Sequence, residues 1–125
     1  MTKRPFGAGA AILLSGSMLN DPVGHYLVRG TNPNGSQYAG EVLVTRTGDT
    51  YRVVWQIGRQ TFVGTGVTSS DGIAVSYQVG GRTGIALYHR KSNGRWEGVG
   101  ALAGSRDSGT DVWIPRAVSP PRRDS

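Results

Sequence analysis

The chain has no cysteine among its 125 residues, which excludes a disulfide framework, a thiolate metal site and a thiol nucleophile. Histidine is scarce too: His25 and His89 are the only two, and neither has an acidic residue close in sequence at a metal-ligand spacing. The G-x-S-x-G nucleophile elbow is also missing. Asp107 and Asp111 flank a loop and could form paired carboxylates, although a solvated turn explains both equally well. We therefore predict a protein without enzyme activity, metal or cofactor.

Long apolar runs are missing as well. Residues 6–14 form a short apolar stretch, well below the roughly 20 residues needed to span a bilayer, so we expect no stable membrane anchor. Lys3 and Arg4 precede this stretch and small residues follow it at 15–17, which is the outline of a secretory signal. We predict residues 1–24 to be a signal peptide, cut after Ser17, or else a disordered leader. The signal peptide would place the protein in the periplasm or outside the cell.

The remaining residues are enough for one domain. A single core suits a chain of this length, and we place the domain at residues 25–117. Residues 118–125 contain Pro120 and Pro121 together with Arg122 and Arg123. Because proline cannot donate a hydrogen bond to a strand ladder, we predict a disordered basic tail there.

Glycine, in contrast, is abundant and points to an all-β fold. The 20 glycines suit turns and bent strands, whereas each would cost roughly 1 kcal/mol relative to alanine inside a helix. Apolar and polar residues alternate, as a sheet with one buried face requires. Turns containing glycine, asparagine or aspartate separate the segments. We predict eight strands: 25–31, 37–47, 50–57, 60–68, 73–79, 83–91, 95–103 and 110–116.

Every predicted connection is short enough for an antiparallel hairpin, so the simplest topology is an eight-stranded up-and-down meander. Pairing the first strand with the last would remove both sheet edges and close a barrel. Eight strands enclose a space that side chains fill or that holds one small ligand. Glycines within the strands, such as Gly84 and Gly98, fit the sharp bends of a small barrel or positions where a large side chain opposite needs room. We favour the barrel over the alternative, a two-layer β-sandwich.

Aromatic residues spread over several strands are the candidates for ligand contact. Their rings can stack on a planar ligand while a hydroxyl or indole N–H orients it, but they can equally form the core of a small domain. The turn 32–36 is rich in polar groups and would lie at one end of the barrel, where loops commonly meet ligands. The predicted ligand-binding residues are Tyr38, Trp55, Tyr77, Trp96, Asn32 and Asn34.

The basic charge of the chain offers an alternative function. The formal net charge is +6, and most of the cations in the domain are arginines, whose planar fork suits phosphate or carboxylate partners. Arg52, Arg59 and Arg90, with aromatic residues between them, could bind nucleic acid or another polyanion. A solvated strand face explains the same residues.

A group of motifs resembles a family of small exported bacterial proteins that are often labelled fibronectin-binding protein. The motifs are G-H-Y-L-V-R-G-T-N-P-N-G-S-Q-Y-A-G-E-V at 24–42, Y-R-V-V-W at 51–55, G-T-G at 64–66 and V-S-Y at 75–77. The resemblance covers roughly residues 22 to 116 and implies an all-β domain behind a signal peptide. Asn34 stands where the family usually has aspartate. The family implies no catalytic residue for this chain.

Together these features predict a non-enzymatic exported bacterial binding protein. Its partner would be an unknown small molecule, or an extracellular protein such as the matrix protein named in the family label. The alternatives are the polyanion or nucleic-acid binder described above and, since catalytic groups assemble in space, a hydrolase or isomerase with an unrecognised site.

Overall fold

The computed structural model describes residues 21–116, which form eight antiparallel strands. Residues 1–20 of the predicted leader and the whole predicted tail lie outside the described residues. Each strand boundary falls within one residue of the position expected from the sequence. The strands are β1 (Gly24–Thr31), β2 (Gln37–Thr47), β3 (Thr50–Ile57), β4 (Gln60–Ser69), β5 (Gly72–Val79), β6 (Arg82–Arg90), β7 (Trp96–Leu102) and β8 (Gly109–Pro115).

The strands pair in chain order and close into a barrel. The closing contact is antiparallel pairing of β1 with β8, in a register that runs from Tyr26 opposite Pro115 to Thr31 opposite Thr110. One continuous sheet therefore surrounds the interior, which confirms the barrel and rules out the two-layer sandwich. No helix within residues 21–116 is long and apolar enough to cross a membrane.

Tight turns hold neighbouring strands in register. The β2–β3 turn begins with Gly48 at φ 60°, and the β3–β4 turn begins with Gly58 at φ 61°. No non-glycine residue in the described chain has positive φ, so Asp49 and Arg59 follow with negative φ, as in type II′ hairpin turns. Such turns match the right-handed twist that a small closed barrel requires.

Alternate residues point into the barrel, and its two ends differ in how far these side chains fill the interior. At the end formed by the β2–β3, β4–β5 and β6–β7 connections, which we call the closed end, large side chains fill the interior. Pro22, which precedes β1, is also fully buried, and its carbonyl accepts a 2.7 Å hydrogen bond from the Tyr26 hydroxyl. The buried apolar core comprises Tyr26, Val28, Val42, Val44, Tyr51, Val53, Trp55, Ile73, Val75, Ala86, Tyr88, Trp96 and Trp113.

Candidate functional site

The other end of the barrel, which we call the open end, contains a cavity of about 430 Å³. Its mouth lies among the β1–β2, β3–β4, β5–β6 and β7–β8 connections. This volume falls in the range of roughly 300–1,000 Å³ that is usual for small-molecule sites. The interior is therefore only partly filled by side chains. The lining residues are Thr31, Asn32, Pro33, Tyr38, Trp55, Ile57, Gln60, Phe62, Tyr77, Val79, Ala86, Tyr88, Gly100, Ala101, Leu102, Ser105, Gly109 and Asp111.

Aromatic rings in mutual contact form much of the cavity wall and its floor. The rings of Trp55 and Tyr77 lie 5.3 Å apart, centroid to centroid, and are tilted by 57°. Deeper in the barrel the Trp113 ring packs on the Tyr88 ring at a centroid distance of 4.1 Å. It also contacts the Trp55 ring edge-on, at a centroid distance of 6.4 Å. Offset and tilted pairs of this kind add roughly 0.5–1.5 kcal/mol beyond the area they bury. The wall is thus a rigid surface on which a planar ligand can stack.

Glycines on neighbouring strands make room for the tyrosines of the site. Tyr38 on β2 is paired with Gly30 on β1, and Tyr77 on β5 is paired with Gly84 on β6. In both pairs the ring lies across the glycine so closely that a methyl group added there would overlap it. The expectation that strand glycines leave room for a large side chain opposite is therefore met at Gly84, and the same holds at Gly30.

One row of paired residues across neighbouring strands brings Tyr38 and Tyr88 to the carboxyl group of Asp111. Asp111 on β8 is paired with Gly30 on one side and with Gly98 on the other. Tyr38 lies across Gly30 and Tyr88 lies across Gly98, so the two rings approach Asp111 from opposite sides. The order around the barrel wall is Tyr, Gly, Asp, Gly, Tyr. Since both glycines lack a side chain, each hydroxyl reaches past one strand to the acid.

Asp111 is the buried charged residue of the described chain, with 7% of its surface exposed. Burial raises the pKa of its carboxyl from the ordinary value of 3.8 to about 6. Interactions with the hydroxyls of Tyr88 and Tyr38 and with the Trp55 indole partly oppose this rise, because they favour the charged form. The Trp113 indole, which lies beside the carboxyl, also lowers the pKa of Asp111. Its Nε1 makes no hydrogen bond within residues 21–116.

The tyrosines around Asp111 respond to the same environment. Burial raises the pKa of Tyr88 well above 10, and the neighbouring Asp111 charge raises it further. The pKa values of Tyr38 and Tyr77 are raised for the same two reasons, burial first. These hydroxyls consequently keep their protons at neutral pH and act as hydrogen-bond donors.

The structure places most of the predicted ligand-binding residues in the cavity wall. Tyr38, Trp55, Tyr77 and Asn32 line the cavity. Trp96 does not: it lies in the core with 2% exposure and packs on another tryptophan at a centroid distance of 6.5 Å. Asn34 does not line it either.

The side chain of Asn34 stabilises the β1–β2 turn. Its Oδ1 accepts hydrogen bonds from the Ser36 backbone N–H at 2.9 Å and from the Ser36 hydroxyl at 2.7 Å. This is turn chemistry of the kind that asparagine commonly supplies.

The three arginines proposed for anion binding do not form one patch. Arg59 lies in a turn at the open end, whereas Arg90 lies where β6 ends, at the closed end. Arg52 is exposed near the start of β3, between Thr45 and Thr65 on the neighbouring strands and three strands away from β6. Arg90 is half-buried and in the same strand phase as the inward residues of β6, whereas Arg52 is exposed, so the three residues do not share one strand face.

Asp111 and Tyr88 belong to the site but were absent from the predicted ligand-binding set. Asp111 was interpreted only as one of two acids beside a loop, yet its partner in that hypothesis, Asp107, is exposed and does not line the cavity. The sequence did contain a pattern that predicts the inward position of Asp111. Asp111 lies two residues before Trp113 on the same strand, and alternate residues of a strand face the same side. Within residues 21–116 no three acidic, histidine or cysteine side chains lie together as a metal site.

Comparison with known proteins supports the fold. The chain is similar to a redesigned β-barrel, mFAP1, whose structure was determined bound to DFHBI. The TM-score is 0.64 and the sequence identity 16%, with 79% of this chain and 97% of that chain covered. No protein-family model matches the sequence, and no curated protein matches it.

Proposed function

We propose that this chain is a non-enzymatic binding protein that holds a small planar aromatic molecule in the open end of its barrel. The observation that carries the proposal is the cavity of about 430 Å³, walled by tyrosine, tryptophan and phenylalanine rings. A concave, largely apolar space with a few convergent polar groups is the usual form of a small-molecule site. The designed barrel that resembles this fold was likewise studied with a small molecule bound.

The lining groups suit binding and orientation. Hydroxyls of Tyr38 and Tyr77 and the carboxyl of Asp111 converge on the space, while Ile57 and Val79 supply apolar contacts near the mouth. In contrast, the arginines Arg52, Arg59 and Arg90 are dispersed over both ends of the barrel, and this geometry favours a cavity ligand over a polyanion. We retain export to the periplasm or cell exterior as part of the proposal, on the strength of the predicted signal peptide and the family resemblance.

A neutral two-ring probe, 2-naphthamide, tests the proposal. Titration into the ¹⁵N-labelled protein should give saturable shifts at amides around the cavity, including Tyr77 and Ala101, and leave the closed end unchanged. For about 13 non-hydrogen atoms an affinity in the micromolar to millimolar range is expected. Shifts spread over the outer wall, or no saturable shift, would contradict the proposal.

A matched pair of variants on β6 locates the binding. Ala86→Phe places a ring inside the cavity and should abolish the shifts, since Ala86 lines it. Ile85→Phe adds the same ring type one residue earlier, on the outer face, where Ile85 is 60% exposed, and should leave them intact. A dispersed spectrum of each free variant shows that it is folded. Equal binding by both variants would place the probe outside the barrel.

A further inference from the structure

Asp111, the carboxylic acid that lines the cavity, has no positively charged partner within the described residues. The lining residues include Asp111 but no lysine, arginine or histidine, although the whole chain carries a net charge of +6. Among residues 21–116 the arginine–carboxylate ion pair joins Arg116 to Glu41 on the outer face of β2, and the His25 Nε2 lies 2.7 Å from the same carboxyl. Among the cations near the mouth, Arg82 is exposed and donates from Nη2 to the Ala103 carbonyl at 3.2 Å.

We infer that the cavity selects planar aromatic ligands that carry a cationic nitrogen group, such as an amidinium or a protonated amino-heterocycle, and that this group pairs with Asp111. The inference rests on the proposed function, because it specifies the chemistry of the ligand for the same cavity. A charged group is rarely buried unless it is paired, and here the ligand would supply the missing partner.

The arrangement around Asp111 fixes the carboxyl for such a partner. Tyr38 and Tyr88 approach it from opposite sides along the sheet, each across a glycine, so its lateral directions are occupied by protein groups. The carboxyl also interacts with the indoles of Trp55 and Trp113, and Asp111 lines the cavity, so a ligand bound there can reach it. An amidinium presents two parallel N–H donors, the geometry that favours bidentate pairing with a carboxylate.

The aromatic wall favours a cation as well. The rings of Trp55, Tyr77 and Phe62 line the same cavity as Asp111, which lies on β8. Ring faces attract cations within about 6 Å of the centroid, most strongly where water is excluded. A planar cation would thus gain stacking, cation–π attraction and an ion pair together, whereas an anion of the same shape would meet Asp111 as a like charge.

The ionisation of Asp111 gives this selectivity a pH dependence. The groups that face its carboxyl are Tyr38 from β2, Trp55 from β3, Tyr77 from β5, Tyr88 from β6 and Trp113 from β8. The pKa values of all three tyrosines are raised, so they stay neutral while Asp111, with a pKa of about 6, becomes charged. Affinity for a permanent cation should therefore increase as the pH rises through about 6.

Three isosteric probes test the inference by isothermal titration calorimetry at about pH 7.5: 2-naphthamidine, which is cationic, 2-naphthamide, which is neutral, and 2-naphthoate, which is anionic. We expect the amidine to bind at least about tenfold more tightly than the amide, and the naphthoate more weakly than either. In Asp111→Asn the preference for the amidine over the amide should fall by at least about threefold, to the part that the aromatic rings supply. Asp107→Asn, which makes the same charge change in the exposed β7–β8 loop, should keep the wild-type preference.

The outcomes separate this inference from the proposed function. Equal binding of the amide and the amidine by the wild-type protein, or tighter binding of the naphthoate, would overturn the cation preference and leave the aromatic-ligand cavity standing. A preference that survives Asp111→Asn undiminished would also overturn it, because the carboxyl would not be its source. Failure of all three probes to bind would overturn both proposals. The wild-type comparison alone decides the first point, whatever the stability of the variant.

Discussion

Replacing Asp111 with asparagine should make the protein less sensitive to pH. The folded-state pKa of about 6 exceeds the ordinary value of 3.8 by about 2 units, because the carboxyl is buried. Between these values the folded state binds more protons than the unfolded state, so the free energy of unfolding falls as the pH rises. At 1.36 kcal/mol per unit, ionised Asp111 should cost about 3 kcal/mol above pH 7.

The expected result is a difference between two curves. Urea unfolding, followed by tryptophan fluorescence at intervals from about pH 4 to about pH 8, gives the free energy of unfolding of each protein. Because pH 4 already lies just above the ordinary value of 3.8, the advantage of Asp111→Asn over wild type should grow by about 2 kcal/mol across this range, most of the total of about 3 kcal/mol, and level off above pH 7. Subtracting the curves removes the contribution of every other titrating group. The amide is similar in shape to the protonated acid, so little difference should remain near pH 4.

Asp107→Asn is the control, because it removes an exposed carboxyl only four residues away. Its curve should run parallel to that of the wild type. A constant offset between Asp111→Asn and wild type at all pH values would contradict this prediction, since it would mean that the carboxyl does not change its proton affinity on folding. An advantage that shrinks with rising pH would refute it too, by showing that the folded state favours the charged form.

Three further changes have defined outcomes. Gly84→Ala should displace the Tyr77 ring, weaken binding of 2-naphthamide and destabilise the fold by about 1–3 kcal/mol in urea unfolding; unchanged binding would show that the glycine does not position the ring. Trp113→Ala should cost about 3–5 kcal/mol by the same assay, because this side chain is fully buried among other aromatic rings, and a loss under 1 kcal/mol would contradict its central place in the core. Glu41→Gln should shift stability by less than about 1 kcal/mol, since Glu41 and its partners His25 and Arg116 are nearly half exposed; a larger loss would contradict that weak role.

The sequence was sufficient to predict the strands and their order because both are local properties. Alternation assigns inward and outward residues, and glycine turns such as Gly48-Asp49 specify hairpins between neighbours. Closure followed from the unfavourable edges that an open meander would leave. None of these steps requires knowledge of which side chains meet across the barrel.

The open cavity could not be predicted, because it depends on how inward side chains from all eight strands share one space. Trp55 and Trp96 are both inward residues of the core, yet only Trp55 also lines the cavity. Which of them meets the ligand depends on depth along the barrel, and depth follows from the stagger of the strands. The stagger becomes visible only in the pairing register.

The role of Asp111 was missed for a related reason. At the end of a loop an aspartate is usually solvated, and only its phase with Trp113 on β8 indicates an inward position. Its two tyrosine partners come from β2 and β6, on either side of β8, and reach it only because glycines occupy the intervening strands. This contact depends on the pairing registers of several strands at once. It therefore cannot be predicted from the sequence of β8 alone.

Ligand binding in the cavity and its pairing with Asp111 can be tested together by a crystal structure of the protein with 2-naphthamidine bound. We predict that the rings lie inside the open end against Trp55 and Tyr77, with both amidinium nitrogens within hydrogen-bonding distance of the Asp111 carboxylate. Density for the probe on the outer wall, or inside the barrel with the amidinium directed away from Asp111 towards the mouth, would contradict it.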